Sequence, residues 1–179
     1  MLTSKQVSST AALVAVGAIG RIVLGNLALS SPTPSYGILI KVGLTETITF
    51  VTGFVLGPAI GFLTGSLIIV VSDMFMLPGV WTPFIAAIIG ILGVYAGVFS
   101  RFTRNPSVKL LGIYAVALTL ISEFLQNSWV ALFYNVPIVA AFASGVTSIV
   151  TALTNNIILF TAVAPRIIKF LRETTSRTS

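Results

Sequence analysis

From Pro58 to Met76 the sequence carries a single charged side chain, Asp73, and from Thr82 to Ser100 it carries none. A soluble fold has no way to cover runs of this length and apolarity. They match instead the ~20 residues an α-helix needs to cross a bilayer. Similar runs recur along the chain, at about 8–29, 38–56, 58–76, 82–100, 110–133 and 138–164. Barrel strands are shorter and alternate in polarity, so helices are the expectation. The breaks between runs are rich in turn formers: SSPTPSYG (30–37), Gly57-Pro58, MLPGVW (76–81), RFTRNPSVK (101–109) and YNVP (134–137).

Composition agrees. Charged residues make up 8% of the chain and mean hydropathy is +1.06, whereas a soluble domain has roughly 25% charged residues. The expected fold is an all-α integral membrane protein, a compact bundle of six transmembrane helices. It fills residues 1–179 as one domain and leaves no room for a soluble one. There is no histidine and no cysteine, which removes His/Cys metal sites, histidine bases, thiol nucleophiles and disulfides.

Of the ten Lys and Arg residues, Arg21 and Lys41 fall inside runs. With both termini on one side, that side collects the other eight: Lys5, Arg101, Arg104, Lys109, Arg166, Lys169, Arg172 and Arg177. The opposite breaks, 30–37, 77–81 and 134–137, hold none. The positive-inside rule then places both termini in the cytoplasm of a multi-pass cell-membrane protein. The same bias accounts for the net charge of +6 through anionic lipid headgroups, with no nucleic acid involved.

Ionisable groups inside spans each cost roughly 2.5–3.5 kcal/mol at a helix centre on insertion scales, so they need a reason to be there. Arg21 lies a little outward of the middle of span 1, Glu46 near the middle of span 2 with Lys41 further out, Asp73 near the outer end of span 3, and Glu123 midway along span 5. Gln126 and Asn127 follow one turn outward, and helical phase puts Glu123, Asn127 and Tyr134 on one face. Two readings are open. Arg21 pairs with Glu46 or Glu123 to hold the bundle, with Lys41 and Asp73 reaching the interface; or the set lines a polar cavity that opens outward. Trp81, Trp129, Tyr36 and Tyr134 fall near outer span ends, as an aromatic belt or as a stacking surface for a flat conjugated ligand. Small-residue stripes at Ala11-Ala15-Ala18, at Gly57-Gly61-Gly65 and at Ser144-Ser148-Thr151-Asn155 suit close helix contacts. The first lies in the cytoplasmic half, where it can dock another membrane protein.

Enzyme chemistry finds no foothold. Walker, HExxH and GxSxG motifs are missing, and an aspartyl intramembrane protease needs two aspartates where only Asp73 exists. No cofactor or metal is expected. Neither a pore-lining repeat nor the inverted repeats and broken helices of secondary transporters can be made out.

Three segments resemble the substrate-binding S component of energy-coupling-factor (ECF) vitamin transporters. AALVAVGA (11–18) is similar to the AxxxA motif that docks S components on the coupling subunit. GFVLGPAIGFLTGSLIIVVSD (53–73) is similar to the G-x-x-x-GP-x-x-G-x-x-x-G passage between the family's second and third helices. MLPGVWTPFIAAIIGILGVYAGVF (76–99) resembles the start of the fourth helix in the cobalamin-type subgroup. It departs from that subgroup at Leu77-Pro78-Gly79-Val80 and Phe84-Ile85, which leaves cobalamin, a precursor of it, or riboflavin open as substrate. The resemblance implies a subunit that takes a vitamin from outside, associates with a transmembrane coupling subunit and two ATPase subunits, and topples to release its cargo inside. The expected substrate-binding residues are Arg21, Glu46, Asp73, Trp81, Glu123, Asn127 and Tyr134, and the expected docking residues are Ala11, Ala15 and Ala18. The alternative is a structural or assembly membrane protein whose buried polar residues only lock the helices together.

The charge count predicts an orientation that can be checked directly, because the chain has no native cysteine. In intact cells a cysteine at Ser35 is expected to react with an impermeant maleimide and one at Ser107 is not. The reverse pattern overturns the orientation.

Overall fold

The computed structural model describes residues 4–29, 43–76 and 78–176. Among the described residues there are seven α-helices and no strand: α1 (Ser4–Leu29), α2 (Leu44–Leu56), α3 (Pro58–Met76), α4 (Thr82–Phe99), α5 (Val108–Phe133), α6 (Ile138–Ala162) and α7 (Ala164–Ser176). Proline opens α3, sits in the first turn of α4 and precedes α6, where its missing N–H is no loss. Ser107 caps α5, its hydroxyl accepting from the Leu110 N–H at 3.3 Å. Gly57 ends α2 at φ 103°, a left-handed turn that only glycine adopts freely. A Cβ there would meet nothing within 4 Å. Gly57 therefore serves the turn, not the helix contacts its place in the small-residue stripe suggested.

α1, α3, α4, α5 and α6 are long and apolar enough to cross a membrane by length and composition. α2 has 13 residues, about 20 Å of helix, less than the ~30 Å of a hydrocarbon core. Residues 38–42 of the expected second span lie outside the described residues, as do Lys41, Tyr36 and the 30–37 break.

Short as it is, α2 is the axis of the fold. It packs against α1, α3, α4, α6 and α7 and is buried without interruption from Thr45 to Phe54. Two of its threonines bond back into the helix: Thr47 donates to the Gly43 carbonyl at 2.7 Å and Thr52 to the Ile48 carbonyl at 2.6 Å, while Thr49 Oγ1 is buried without a hydrogen-bond partner among the described residues. α3 and α4 close on α2 through glycines. A Cβ on Gly53 would lie 2.1 Å from the Gly93 carbonyl oxygen, and one on Gly61 would lie 2.5 Å from Gly53 Cα and 2.6 Å from that same oxygen. Three backbones meet where no side chain fits. Gly65 extends the contact, since a Cβ there would meet Thr49 and the Ile89 carbonyl.

The helices alternate in direction. Gly17 packs on Ile68 and Arg21 reaches Asp73, so α1 and α3 run parallel. Gly97 packs on Pro58 while Thr82 reaches Asp73, so α4 runs back. One end of the bundle, called here the basic end, therefore holds the start of α1, the 101–109 loop and α7. Its core joins Phe50, Phe54, Leu92, Ala96, Leu111 and Phe160 to Ala164, Ile168 and Leu171 of α7.

The chain does not end with the sixth apolar run. Residues 164–176 fold as an amphipathic helix against α2 and α6. Their apolar positions repeat every three or four residues and are buried, while Arg166, Lys169 and Phe170 face outward. On α6 the packed side is Ala141, Ala152, Asn156 and Phe160, so the Ser144-Ser148-Thr151-Asn155 stripe is not the helix's packed face.

The glycine seam sets a stability prediction. Gly61→Ala and Gly93→Ala force backbones apart and are each expected to destabilise by about 1–3 kcal/mol, the usual scale of overpacking. Gly112→Ala is the control, because a Cβ there meets only Thr161 Cγ2 at 3.5 Å. Thermal unfolding in a mild detergent distinguishes them; equal melting temperatures in all three would remove the seam from the fold's determinants.

Candidate functional site

The polar and aromatic residues singled out in the sequence gather into three places, not one. The first is a clamp far from the basic end. The Arg21 guanidinium of α1 pairs with the Asp73 carboxylate of α3 and donates to Ser72 Oγ at 2.5 Å. Thr82, opening α4, donates to the other Asp73 oxygen at 2.6 Å and accepts from the Gly79 N–H at 3.2 Å. Asp73 is 2% exposed, with both oxygens bonded to the protein. Three helices are tied at one carboxylate, in a medium where hydrogen bonds and packing hold helices together. Arg21 thus has Asp73 as its carboxylate partner, where the sequence offered Glu46 or Glu123, and Asp73 is buried in the bundle instead of reaching the interface.

The second place is a buried polar layer between α2, α5 and α6. Thr119, Ser122, Glu123 and Asn156 are buried almost completely, and Glu46 nearly so. Asn156 Nδ2 donates to Thr119 Oγ1 at 2.8 Å, and Thr119 donates to the Ala115 carbonyl at 2.6 Å. The Asn156 Oδ1 is buried without a hydrogen-bond partner among the described residues. Gly43 presses on it so closely that a Cβ would fall 1.4 Å away. Toward the basic end the layer rests on an aromatic floor: Phe50 stands 4.9 Å from Phe160 and 5.3 Å from Tyr114, and Tyr114 is 4.1 Å from Phe99. Glu46 lies one turn from Phe50, and Asn156 one turn from Phe160, each on the side away from the basic end.

The third place is a groove of about 240 Å³ between α4 and α5, at the end opposite the basic one. Trp81, Phe84, Gln126, Trp129 and Tyr134 line it, with Ile85 and Ile88 at its base. The rings are in contact: Phe84 to Trp129 at 5.2 Å, Trp129 stacked on Phe133 at 4.9 Å, Tyr134 edge-on to both. Gln126 is the polar group whose amide can both donate and accept in this apolar setting. Such a groove can hold a flat conjugated ring by stacking and fix its orientation with one amide.

The sequence-predicted residues distribute accordingly. Trp81 and Tyr134 share the groove, Glu46 and Glu123 belong to the buried layer, and Arg21 and Asp73 form the clamp. Asn127 is in none of them. Its Nδ2 donates to the Glu123 carbonyl at 2.8 Å, and its Oδ1 faces α6 so tightly that a Cβ on Gly145 would be 2.5 Å away. Tyr134 is the C-cap beyond α5, so the helical phase that joined it to Asn127 no longer applies there. Neighbouring residues on a helix point about 100° apart, so Gln126 meets α4 while Asn127 meets α6. Gln126, Phe84 and Asn156 were missed as site residues. The signal for Gln126 was its place three residues from Glu123; for Asn156 it was an amide pair, Asn155-Asn156, deep in an apolar run.

On α1 the small-residue stripe splits. Ala11 and Ala15 are exposed, with Val7, Val16, Ile19 and Val23 exposed on the same helix. Ala18 is 2% exposed and packed into the bundle, so it cannot contribute to an outer docking face. No metal-binding group of three or more His, Cys, Asp or Glu side chains occurs among the described residues. Comparison with protein-family models, with curated proteins and with solved structures gives no match.

The clamp yields a prediction. Asp73→Ala strands Arg21, and removing one partner of a buried pair costs about 3–5 kcal/mol; with the Arg21 side chain 26% exposed the expected loss is nearer 2 kcal/mol. Thr82→Val removes one bond to the carboxylate and is expected to lose about 1–2 kcal/mol. Chemical unfolding in detergent measures both, and a Asp73→Ala variant as stable as the parent would contradict the clamp.

Proposed function

We propose that this protein is the substrate-binding subunit of an ATP-driven micronutrient uptake system, an S component of the energy-coupling-factor type. In this reading it crosses the cell membrane six times, α2 belonging to the second of the six runs, and both termini are cytoplasmic. The aromatic groove then opens to the outside. A flat, conjugated, vitamin-like molecule enters it, with cobalamin, a cobalamin precursor and riboflavin the candidates. A transmembrane coupling subunit and two ATPase subunits supply the energy, and toppling of the loaded subunit delivers the cargo inside. The chain itself is not an enzyme. Ala11 and Ala15 are the residues for docking on the coupling subunit, since they are small and exposed.

The observation that carries the reading is the groove itself: apolar, ring-lined, of about 240 Å³, which suits a single ring system of flavin size or one edge of a larger corrinoid, at the end away from the cations of the 101–109 loop. The three resembling sequence segments point the same way. A second reading has support in particular bonds. The Asp73 carboxylate has both oxygens bonded within the protein, to Arg21 and Thr82, as a purely structural membrane protein would have them, so Arg21 and Asp73 are assigned to holding the bundle and not to the ligand.

Both tryptophans of the chain line the groove, which makes intrinsic fluorescence a local probe. Titration of the purified protein with riboflavin and with cobalamin, corrected for ligand absorbance, is expected to give saturable quenching with one of them. Gln126→Ala is expected to weaken binding about 10-fold, the loss of one good hydrogen bond, and Trp129→Ala by at least as much. Saturable binding that neither substitution alters would move the site elsewhere. If neither vitamin binds, and mass spectrometry of gently extracted protein finds no co-purified small molecule, the structural reading prevails.

A further inference from the structure

At the basic end, α7 and the 101–109 loop enclose a cleft that the uptake reading does not use. Its volume is about 410 Å³, and it is lined by Phe54, Val55, Ser100, Arg104, Asn105 and Arg172. Both charged side chains in that lining are arginines, and no carboxylate is among them. Arg172 is fixed in place: Nη1 donates to Asn105 Oδ1 at 2.8 Å, Nη2 donates to the Arg104 carbonyl, and the guanidinium lies over the Phe54 ring at 5.4 Å from its centroid. These bonds tie the Arg172 guanidinium to the backbone of Arg104, whose side chain lines the same cleft. They leave Arg172 with further N–H groups, since a guanidinium has five. The Arg104 side chain is exposed and has no ion-pair partner among the described residues.

A cleft lined by two arginines and by the apolar Phe54 and Val55 suits one kind of occupant. Guanidinium forks match the oxygens of a phosphate, and Phe54 and Val55 offer a surface to the organic part of a phosphate ester. The neighbouring cleft, about 290 Å³, shares Asn105 and Arg172 but adds Lys169 and Glu173, 4.0 Å apart, so it gains no net positive charge and keeps a carboxylate that an anion would have to face. The two elements that form the cleft each also expose a phenylalanine: Phe102 in the loop is 81% exposed and Phe170 on α7 is 65% exposed, as residues that dip below a headgroup layer would be.

We propose that the cleft between α7 and the 101–109 loop is a phosphate-ester site, held by Arg104 and Arg172, whose occupant is the headgroup of an anionic phospholipid. The site stands apart from the aromatic groove and does not depend on what the groove binds. The phosphate sits between the two guanidiniums, and the glyceryl portion lies on Phe54 and Val55. Occupancy would tie α7 to the bilayer surface as well as to the 101–109 loop.

The test uses the full-length protein in a neutral detergent, delipidated, with thermal unfolding as readout. Three probes are titrated separately: dihexanoyl phosphatidylglycerol, dihexanoyl phosphatidylcholine and inorganic phosphate. Saturable stabilisation by the phosphatidylglycerol and by neither of the others is expected. Arg104→Gln is expected to weaken that response about 10-fold or more, Arg104→Lys less, and Arg101→Gln, outside the lining, not at all. Arg104 contributes only its backbone carbonyl to the Arg172 latch, so these variants leave the fold's own bonds in place. Stabilisation by inorganic phosphate equal to that by the lipid, and lost in Arg104→Gln, keeps the phosphate site and makes its source soluble. Equal responses to the two lipids, a response unchanged in Arg104→Gln, an equal loss in Arg101→Gln, or no response to any probe overturns the proposal.

Discussion

The contact of Gly53, Gly61 and Gly93 is the constraint on which the rest of the architecture depends. In an apolar surrounding no hydrophobic gain drives one helix onto another, so close packing and internal hydrogen bonds have to do it. Here three helix backbones approach to distances that a single Cβ would forbid. That approach draws α3 and α4 around α2, and it lets a helix of 13 residues serve as the centre of a much larger bundle. With α2 fixed, its other faces receive α1 on one side and α6 and α7 on the other. The Arg21–Asp73–Thr82 clamp then locks the far end of α1, α3 and α4, where the glycine seam has run out.

The two ends of the bundle are built from opposed materials. At the basic end Phe50, Phe54, Phe99, Tyr114 and Phe160 pack on one another, with α7 laid over them and the arginine-lined cleft between α7 and the 101–109 loop. The other end carries the aromatic groove. There α4 and α5 meet through aromatic rings, with Trp129 in contact with Phe84, Phe133 and Tyr134, and a groove remains between them. Between the two lies the polar layer of Glu46, Thr119, Ser122, Glu123 and Asn156. An aromatic floor beneath polar groups, with an opening on the opposite side, is the asymmetry that the proposed one-sided capture of a substrate needs. The same division gives α7 its place: an amphipathic helix can cover the basic end without occupying the groove.

Much of the helix layout was legible because it follows from chain-local physics. An apolar run long enough to cross a membrane has to satisfy its backbone groups internally, and helices do so one residue at a time. Hence α3 and α4 fall at the expected positions, and prolines and glycines mark the breaks between runs. Helical phase was less informative for the site. Glu123, Gln126 and Asn127 all lie within about one turn, yet Gln126 faces α4, Asn127 packs on Gly145 of α6, and Glu123 is buried in the polar layer. Pattern alone cannot say which neighbour lies on which side of α5. The partner of Arg21 was hidden for a similar reason: Glu46 and Glu123 stood near the middle of their runs and Asp73 near an outer end, so depth pointed away from the residue that packing brings to Arg21.

By itself the sequence determined an all-helical chain with membrane-crossing runs, the turns between them, and the gathering of loop cations away from the other breaks. Each of these depends on residues close together in the chain, through hydrogen bonding within a helix, backbone freedom at glycine and proline, and charge. Tertiary structure alone decided that α2 is central, that Asp73 is the residue answering Arg21, that Trp81 and Trp129 face one groove from different helices, that Ala18 turns inward while Ala11 and Ala15 do not, and that Arg172 closes over Phe54. Those outcomes depend on helices separated by tens of residues coming to rest at one rotation about their axes. That rotation is set by where backbones can touch, and it is a property of the packed bundle that no single run contains.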